Sequence, residues 1–75
     1  MFQWITFDPK ILNGKPHIRG TRLSVEFIME LFASGGSRDD IHQTYPQLTL
    51  EALDEALRYA AKAVKNEILL TAEVV

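Results

Sequence analysis

No regular helix can pass through residues 8–22. Asp8-Pro9, Asn13-Gly14-Lys15-Pro16 and Gly20-Thr21 all fall in that stretch. Proline removes an amide donor and fixes φ, and glycine opens positive φ, so these residues must build turns and short extended pieces. Between the turns, His17-Ile18-Arg19 is a short candidate for extended backbone. Ahead of them, residues 2–7 are aromatic and β-branched and predict a strand. Phe2 and Trp4 lie on one of its faces, Ile5 and Phe7 on the other. A strand apolar on both faces has to be covered twice, which a second chain could do.

Helical spacing takes over after residue 23. A first helix is predicted over about 24–34, with Val25, Ile28, Leu31 and Phe32 on one stripe and Gly35-Gly36 ending it. Ser37 reads as the N-cap of a short second helix, with Asp40 at the capping-box position. Ile41 and Tyr45 supply its apolar face, and Pro46 stops it. Thr49 reads as the cap of a third helix, and Leu48 and Leu53 sit at the staple positions. Leu50, Leu53, Leu57, Ala60, Ala61 and Val64 keep that helix's period. Glu51, Asp54 and Glu55 near its start and Arg58, Lys62 and Lys65 toward its end follow the order the helix dipole favours. The last residues, Ile68-Leu69-Leu70-Thr71-Ala72-Glu73-Val74-Val75, could prolong the helix, form a strand or fray. The expected fold is mainly α: a three-helix, helix-turn-helix bundle behind a short N-terminal β segment. It reads as a single domain over 1–75, with β and turns over 2–23, the bundle over 24–65 and an apolar tail over 66–75.

Size limits how such a fold is held together. The chain has 75 residues and no cysteine. A core this small supplies only about 3–5 kcal/mol, and small domains commonly add disulfides, a metal or a partner. Disulfides and thiolate zinc are excluded, and His17 and His42 make a poor metal set, so a partner or a homodimer is the expected staple. Phe2, Trp4, Ile5, Ile68, Leu69, Leu70, Val74 and Val75 are the candidate interface residues, too many apolar groups for a polar-surfaced monomer of this length. The apolar runs are short of the roughly 18 residues a membrane span needs, and residues 1–8 lack the pattern of a secretory signal. A soluble, cytoplasmic protein with no membrane partner is expected.

The formal net charge is −2, against generic polyanion binding. Its distribution is uneven. Residues 9–22 hold Lys10, Lys15, Arg19 and Arg22 with no acid, whereas residues 23–55 hold seven acids against Arg38 alone.

The string Gly14-Lys15-Pro16-His17-Ile18-Arg19-Gly20-Thr21-Arg22 resembles the signature of the family called domain of unknown function 433. Tyr45-Pro46-Gln47-Leu48-Thr49 resembles its turn, and Tyr59-Ala60-Ala61 its late helix. The resemblance spans roughly residues 5–65. It implies a homeodomain-like three-helix fold and an antitoxin of a type II toxin–antitoxin pair, whose partner is a PIN-like ribonuclease and which could also bind its own operator. Members often carry proline where Ser24 stands, and Ser24 can cap the first helix instead.

Three function classes follow. The first is the antitoxin, inhibiting its ribonuclease by occlusion. The second is a homodimeric helix-turn-helix regulator that reads operator DNA. Its third helix would enter the major groove by its N-terminal end, yet Glu51, Asp54 and Glu55 there would repel phosphates. The candidate DNA-binding residues are therefore Lys10, Lys15, Arg19 and Arg22, with His17 among them. The third is a small non-catalytic adaptor. Arg19 and Arg22 could fork onto phosphate or carboxylate. Alternatively, Gly20 only makes a turn, Thr21 bonds backbone and Arg22 pairs with an acid of the first or third helix. Enzymatic activity is not expected. The glycines do not form a phosphate loop, no nucleophile–base–orienter set is visible, and no cofactor is implied. Asp39-Asp40 and Asp54-Glu55 are helix neighbours that point apart.

Overall fold

A computed structural model describes the backbone of residues 2–74 and the side chains of residues 2–65. In chain order it contains strand β1 (Ile5–Thr6), a 3₁₀ turn (Leu12–Gly14), strand β2 (His17–Ile18) and helices α1 (Val25–Ala33), α2 (Arg38–Thr44) and α3 (Leu50–Val74). The fold is mainly α with a short β segment, as the residue pattern predicts.

The turn-rich segment is organised around β2. It pairs antiparallel with β1, Ile5 opposite Ile18 and Thr6 opposite His17. On its other edge the chain returns through Leu23–Val25: Ile18 N–H donates to Leu23 O (3.0 Å) and Val25 N–H to Pro16 O (2.9 Å). Between these passes Gly20 takes φ +80°, and Thr21 closes the turn by donating Oγ1–H to Ile18 O (2.8 Å) and accepting from Leu23 N–H (3.0 Å). Thr21 and Gly20 thus have the local backbone roles set out for them. At two residues, β1 is shorter than the expected 2–7. Phe2 packs on the core ahead of the ladder, and Trp4, also packed there, accepts from Arg19 N–H (2.8 Å).

The helix boundaries follow their caps. Ser24 Oγ accepts from Phe27 N–H (2.9 Å) at the start of α1. Gly35, at φ +97°, lets the chain reverse, and Gly35 N–H and Gly36 N–H donate to Phe32 O (3.0 Å) and Leu31 O (3.2 Å). That is the Schellman pattern, which satisfies the last carbonyls. Ser37 and Asp40 form the reciprocal capping box of α2. Thr49 Oγ1 accepts from Ala52 N–H (3.1 Å), and the two staple leucines, Leu48 and Leu53, are fully buried.

Helix α3 is the hub, packing on α1, α2 and β1. The core comprises Ile5, Ile18, Val25, Ile28, Ile41, Leu48, Ala52, Leu53 and Ala56. Beyond Ala60 little of the body covers the described part of α3: residues 61–65 are all exposed. The helix runs on through the expected 65/66 boundary to Val74, so of the alternatives for the tail it is helix prolongation that occurs. The side chains of Ile68, Leu69, Leu70 and Val74, and all of Val75, lie outside the described residues.

Candidate partner surface

Buried ionisable groups are the usual start of a functional site, and among the described residues two side chains qualify, Glu55 and His17. Glu55 sits one helical turn before Tyr59 on the side of α3 that faces the N-terminal segment. Its carboxylate accepts from the backbone N–H groups of Gln3 (2.7 Å), Trp4 and Ile5 (2.9 Å). Gln3 and Trp4 precede β1, and the Ile5 N–H lies on the strand edge away from β2, so none of the three amides has a strand partner and the carboxylate supplies all three. Burial pushes the Glu55 carboxyl up, but the three N–H donors and the nearby Arg58 charge outweigh it and hold the pKa below the ordinary carboxylate value. Glu55 therefore works as a clamp on the chain's own backbone.

The remaining candidates for chemistry resolve in the same way. The neighbour of Glu55, Asp54, is held by Arg38 in a two-pronged ion pair at 2.7 and 2.8 Å. Only Glu51 of the three acids expected near a DNA groove is left exposed and unengaged by the described residues. The expectation that Glu55 faces solvent there is corrected: it turns inward because the amides of β1 require an acceptor. His17 is buried beside Lys15 O (3.1 Å), and His42 meets Leu48 O (2.6 Å), tying α2 to the turn before α3. Among the described residues no group of three or more His, Cys, Asp or Glu is placed to hold a metal.

The basic residues are divided between two ends of the hairpin. Lys10 and Lys15 belong to the loop that joins β1 to β2, and Lys15 Nζ pairs with Glu26 at 3.2 Å, both side chains well exposed. Arg19 and Arg22 flank the Gly20-Thr21 turn at the opposite end, about 13 Å along the strand from Lys15 at the usual extended rise. There Arg19 Nε–H donates to Gln3 O (3.1 Å). Arg22 is exposed and makes no ion pair among the described residues, so the pairing with a helix acid considered for it is not seen.

The candidate interface residues of the N-terminus are mostly covered by their own chain. Ile5, expected at an interface, is a core residue at 6% exposure. Phe2 and Trp4 are partly buried against the core. The second cover foreseen for this strand comes from α3. Phe2 meets Tyr59 edge-on at 5.3 Å between ring centroids, and Phe7 meets the same ring at 6.3 Å. Phe7 is nevertheless 58% exposed. Beside these rings lies a shallow cleft of about 180 Å³ lined by Phe2, Tyr59, Lys62 and Ala63.

The family model for DUF433, a protein of unknown function, matches residues 5–60. The chain belongs to the DUF433 family. No curated protein and no solved structure matches it. The DUF433 match ends where the body ends, at Ala60, and the exposed part of α3 begins at the next residue.

The apolar groups that the period reading misplaced lie on both sides of that boundary. Leu57 and Val64, assigned with Leu53 to one stripe, are 39% and 50% exposed, while Leu53 is fully buried. At 100° per residue Leu57, Ala61 and Val64 fall within about 60° of one another, and their mean direction is roughly a quarter turn from that of Ala52, Leu53, Ala56 and Ala60, with Leu53 at the border between the two sets. This DUF433 chain therefore carries two apolar faces on α3. The signal was present in the spacing 57, 61, 64, which steps by four and then three, the rhythm of a helix–helix seam.

Proposed function

We propose that this DUF433 protein is the antitoxin of a type II toxin–antitoxin pair, a non-catalytic cytoplasmic protein that binds a PIN-like ribonuclease and blocks it by occlusion. One observation carries the reading: α3 continues well past the last core residue and bears a second apolar face with no cover from the described part of its own chain. A helix of that kind is marginal alone in water, and exposed apolar surface of this kind marks an interface. The family resemblance supplies the class of partner. The clamp at Glu55 and the ion pair at Asp54 support a scaffold reading, since both groups serve the fold.

The operator-reading alternative has less in its favour. The start of α3 is acidic, and Lys10 and Lys15 lie at the far end of the hairpin from Arg19 and Arg22. If operator contact occurs, these four residues carry it, and Arg19→Ala with Arg22→Ala weakens a gel shift without altering the circular dichroism spectrum. The deciding experiment is co-purification with the neighbouring gene product, the tag on that neighbour only. A stoichiometric complex that silences the neighbour's ribonuclease activity supports the antitoxin reading. Absence of a complex at micromolar concentration overturns it.

A further inference from the structure

We infer that the cleft between Phe2 and Tyr59, with the exposed ring of Phe7 beside it and a row of cations along α3, binds single-stranded nucleic acid. The inference goes beyond the antitoxin reading and does not rest on it.

The rings come first. Phe2 and Phe7 both meet the ring of Tyr59, at 5.3 and 6.3 Å between centroids. None of the three is fully buried: Phe2 and Tyr59 are half-buried and Phe7 is largely exposed. Single apolar groups scattered on a surface need no explanation, but three rings in mutual contact form a patch. The cleft of about 180 Å³ beside them is lined by Phe2, Tyr59, Lys62 and Ala63. That is below the roughly 300–1,000 Å³ of sites that enclose a whole small molecule, so it seats one group of a longer ligand. Rings favour a flat occupant, and every nucleobase has a face that stacks on an aromatic side chain.

Charge selects the ligand. From Arg58 to Lys65, α3 carries Arg58, Lys62 and Lys65 and no acid, and all three cations are exposed. At 100° per residue they fall within about 60° of one another, and Lys62, which lines the cleft, lies between Arg58 and Tyr59 around the helix. Along the axis they step by about 6 and 4.5 Å. A fourth cation, Arg19, is tied through Nε–H to Gln3 O (3.1 Å), next in the chain to Phe2. Of the acids near these rings in the chain, Glu55 is buried against three backbone amides. Asp8 is engaged in its own turn, where it accepts from Lys10 N–H (2.9 Å). A strand with a phosphate on every nucleotide meets such a row one cation after another, and each phosphate neutralised adds to binding. An acidic peptide would need a carboxylate at each matching position and a ring for the cleft as well. A duplex keeps its base faces inside the stack. A single strand supplies bases and phosphates together.

The test uses the full chain and labelled strands of about twelve nucleotides, within the usual range of single-strand sites. Oligouridylate and oligothymidylate carry bases; an abasic strand of the same length carries the phosphates alone. Fluorescence anisotropy at about 0.1 M salt is expected to show at least one base-bearing strand binding about tenfold or more tightly than the abasic one. The tighter of the two base-bearing strands identifies the source as RNA or DNA. Ala63→Leu fills the cleft and Phe7→Ala removes the exposed ring, and each is expected to abolish most of that excess while leaving abasic binding unchanged. Lys62→Glu is expected to weaken all strands and to flatten their salt dependence. Ala63 and Lys62 are exposed helix positions, so their variants should keep the circular dichroism spectrum even if Phe7→Ala does not. Equal binding of base-bearing and abasic strands, no binding at roughly 100 μM, or an excess that survives Ala63→Leu in a folded chain overturns the inference. A duplex that binds as tightly as its single strands also overturns it, as does displacement of the strand by an equal concentration of uridine monophosphate. Loss of the complex with the neighbouring gene product on Ala63→Leu, with strand binding intact, assigns the cleft to a protein and overturns it too.

Discussion

Glu55 shows how one carboxylate can decide where a chain terminus lies. The amides of Gln3, Trp4 and Ile5 converge on it from the edge of the N-terminal segment that β2 does not pair. Replacing it by Gln keeps the shape but removes the charge and sets an NH₂ group against backbone donors. Hydrogen bonds to charged groups contribute about 1.5–3 kcal/mol each, and their loss is not additive, so Glu55→Gln should cost roughly 2–4 kcal/mol. Urea denaturation would measure it, and an unchanged midpoint would mean the clamp adds nothing. The same group predicts a pH dependence. Its folded pKa is depressed, so its contribution is fully present above the unfolded value of about 4.3 and is lost as pH falls through the folded one. Stability of the natural chain should therefore drop more steeply on acidification than that of Glu55→Gln. Parallel acid limbs would show that Glu55 is not the group being protonated.

At the scale of elements, the link between α1 and α2 is defined by two neighbouring devices. Gly35 ends α1 at φ +97°, a conformation that costs an L-residue about 1–2 kcal/mol. Nothing lies near enough to Gly35 to meet an added methyl, so Gly35→Ala should lose about 1 kcal/mol through backbone strain alone. Ser37→Ala removes the acceptor of the capping box and should cost a similar ~1 kcal/mol. The side chain of Ser37 and the backbone of Gly35 do not share a partner, so the double variant should lose close to the sum. Thermal melts of the three variants would test this, and a strongly sub-additive loss would mean the two devices form one cooperative turn.

The whole molecule divides into a body and an extension. Core residues run from Ile5 to Ala56, and α3, about 37 Å long at the usual helical rise, goes further. Truncation after Lys65 should leave a cooperatively folding body, because it keeps every core residue found among the described residues. It should also weaken the complex with the neighbouring gene product, because it shortens the helix that bears the seam. Circular dichroism melting and co-purification would read the two effects separately. Loss of cooperative melting would show that residues beyond Lys65 stabilise the body.

Much of this architecture is legible in the residues themselves, because it is local. Ser24, Ser37, Thr49, Gly35 and Pro46 each act within a few positions of where they stand, so the N-caps of all three helices and the stops of α1 and α2 follow from the sequence alone, as do the turn at Gly20-Thr21 and the presence of a short β segment. The candidate site was less legible. Period alone placed Leu53, Leu57 and Val64 on one stripe, because the three fall within about 40° of one another at 100° per residue. Only packing of the body against Leu53 and Ala56 separates them. Glu55 likewise reads as a surface acid at a helix start until β1 is brought beside α3, some fifty residues away in the chain, where three unpaired amides outweigh the cost of its burial. Local conformation needs only neighbouring residues; which face is core, which carboxylate is buried and where the apolar seam is left open depend on contacts between distant segments, which only the tertiary structure decides.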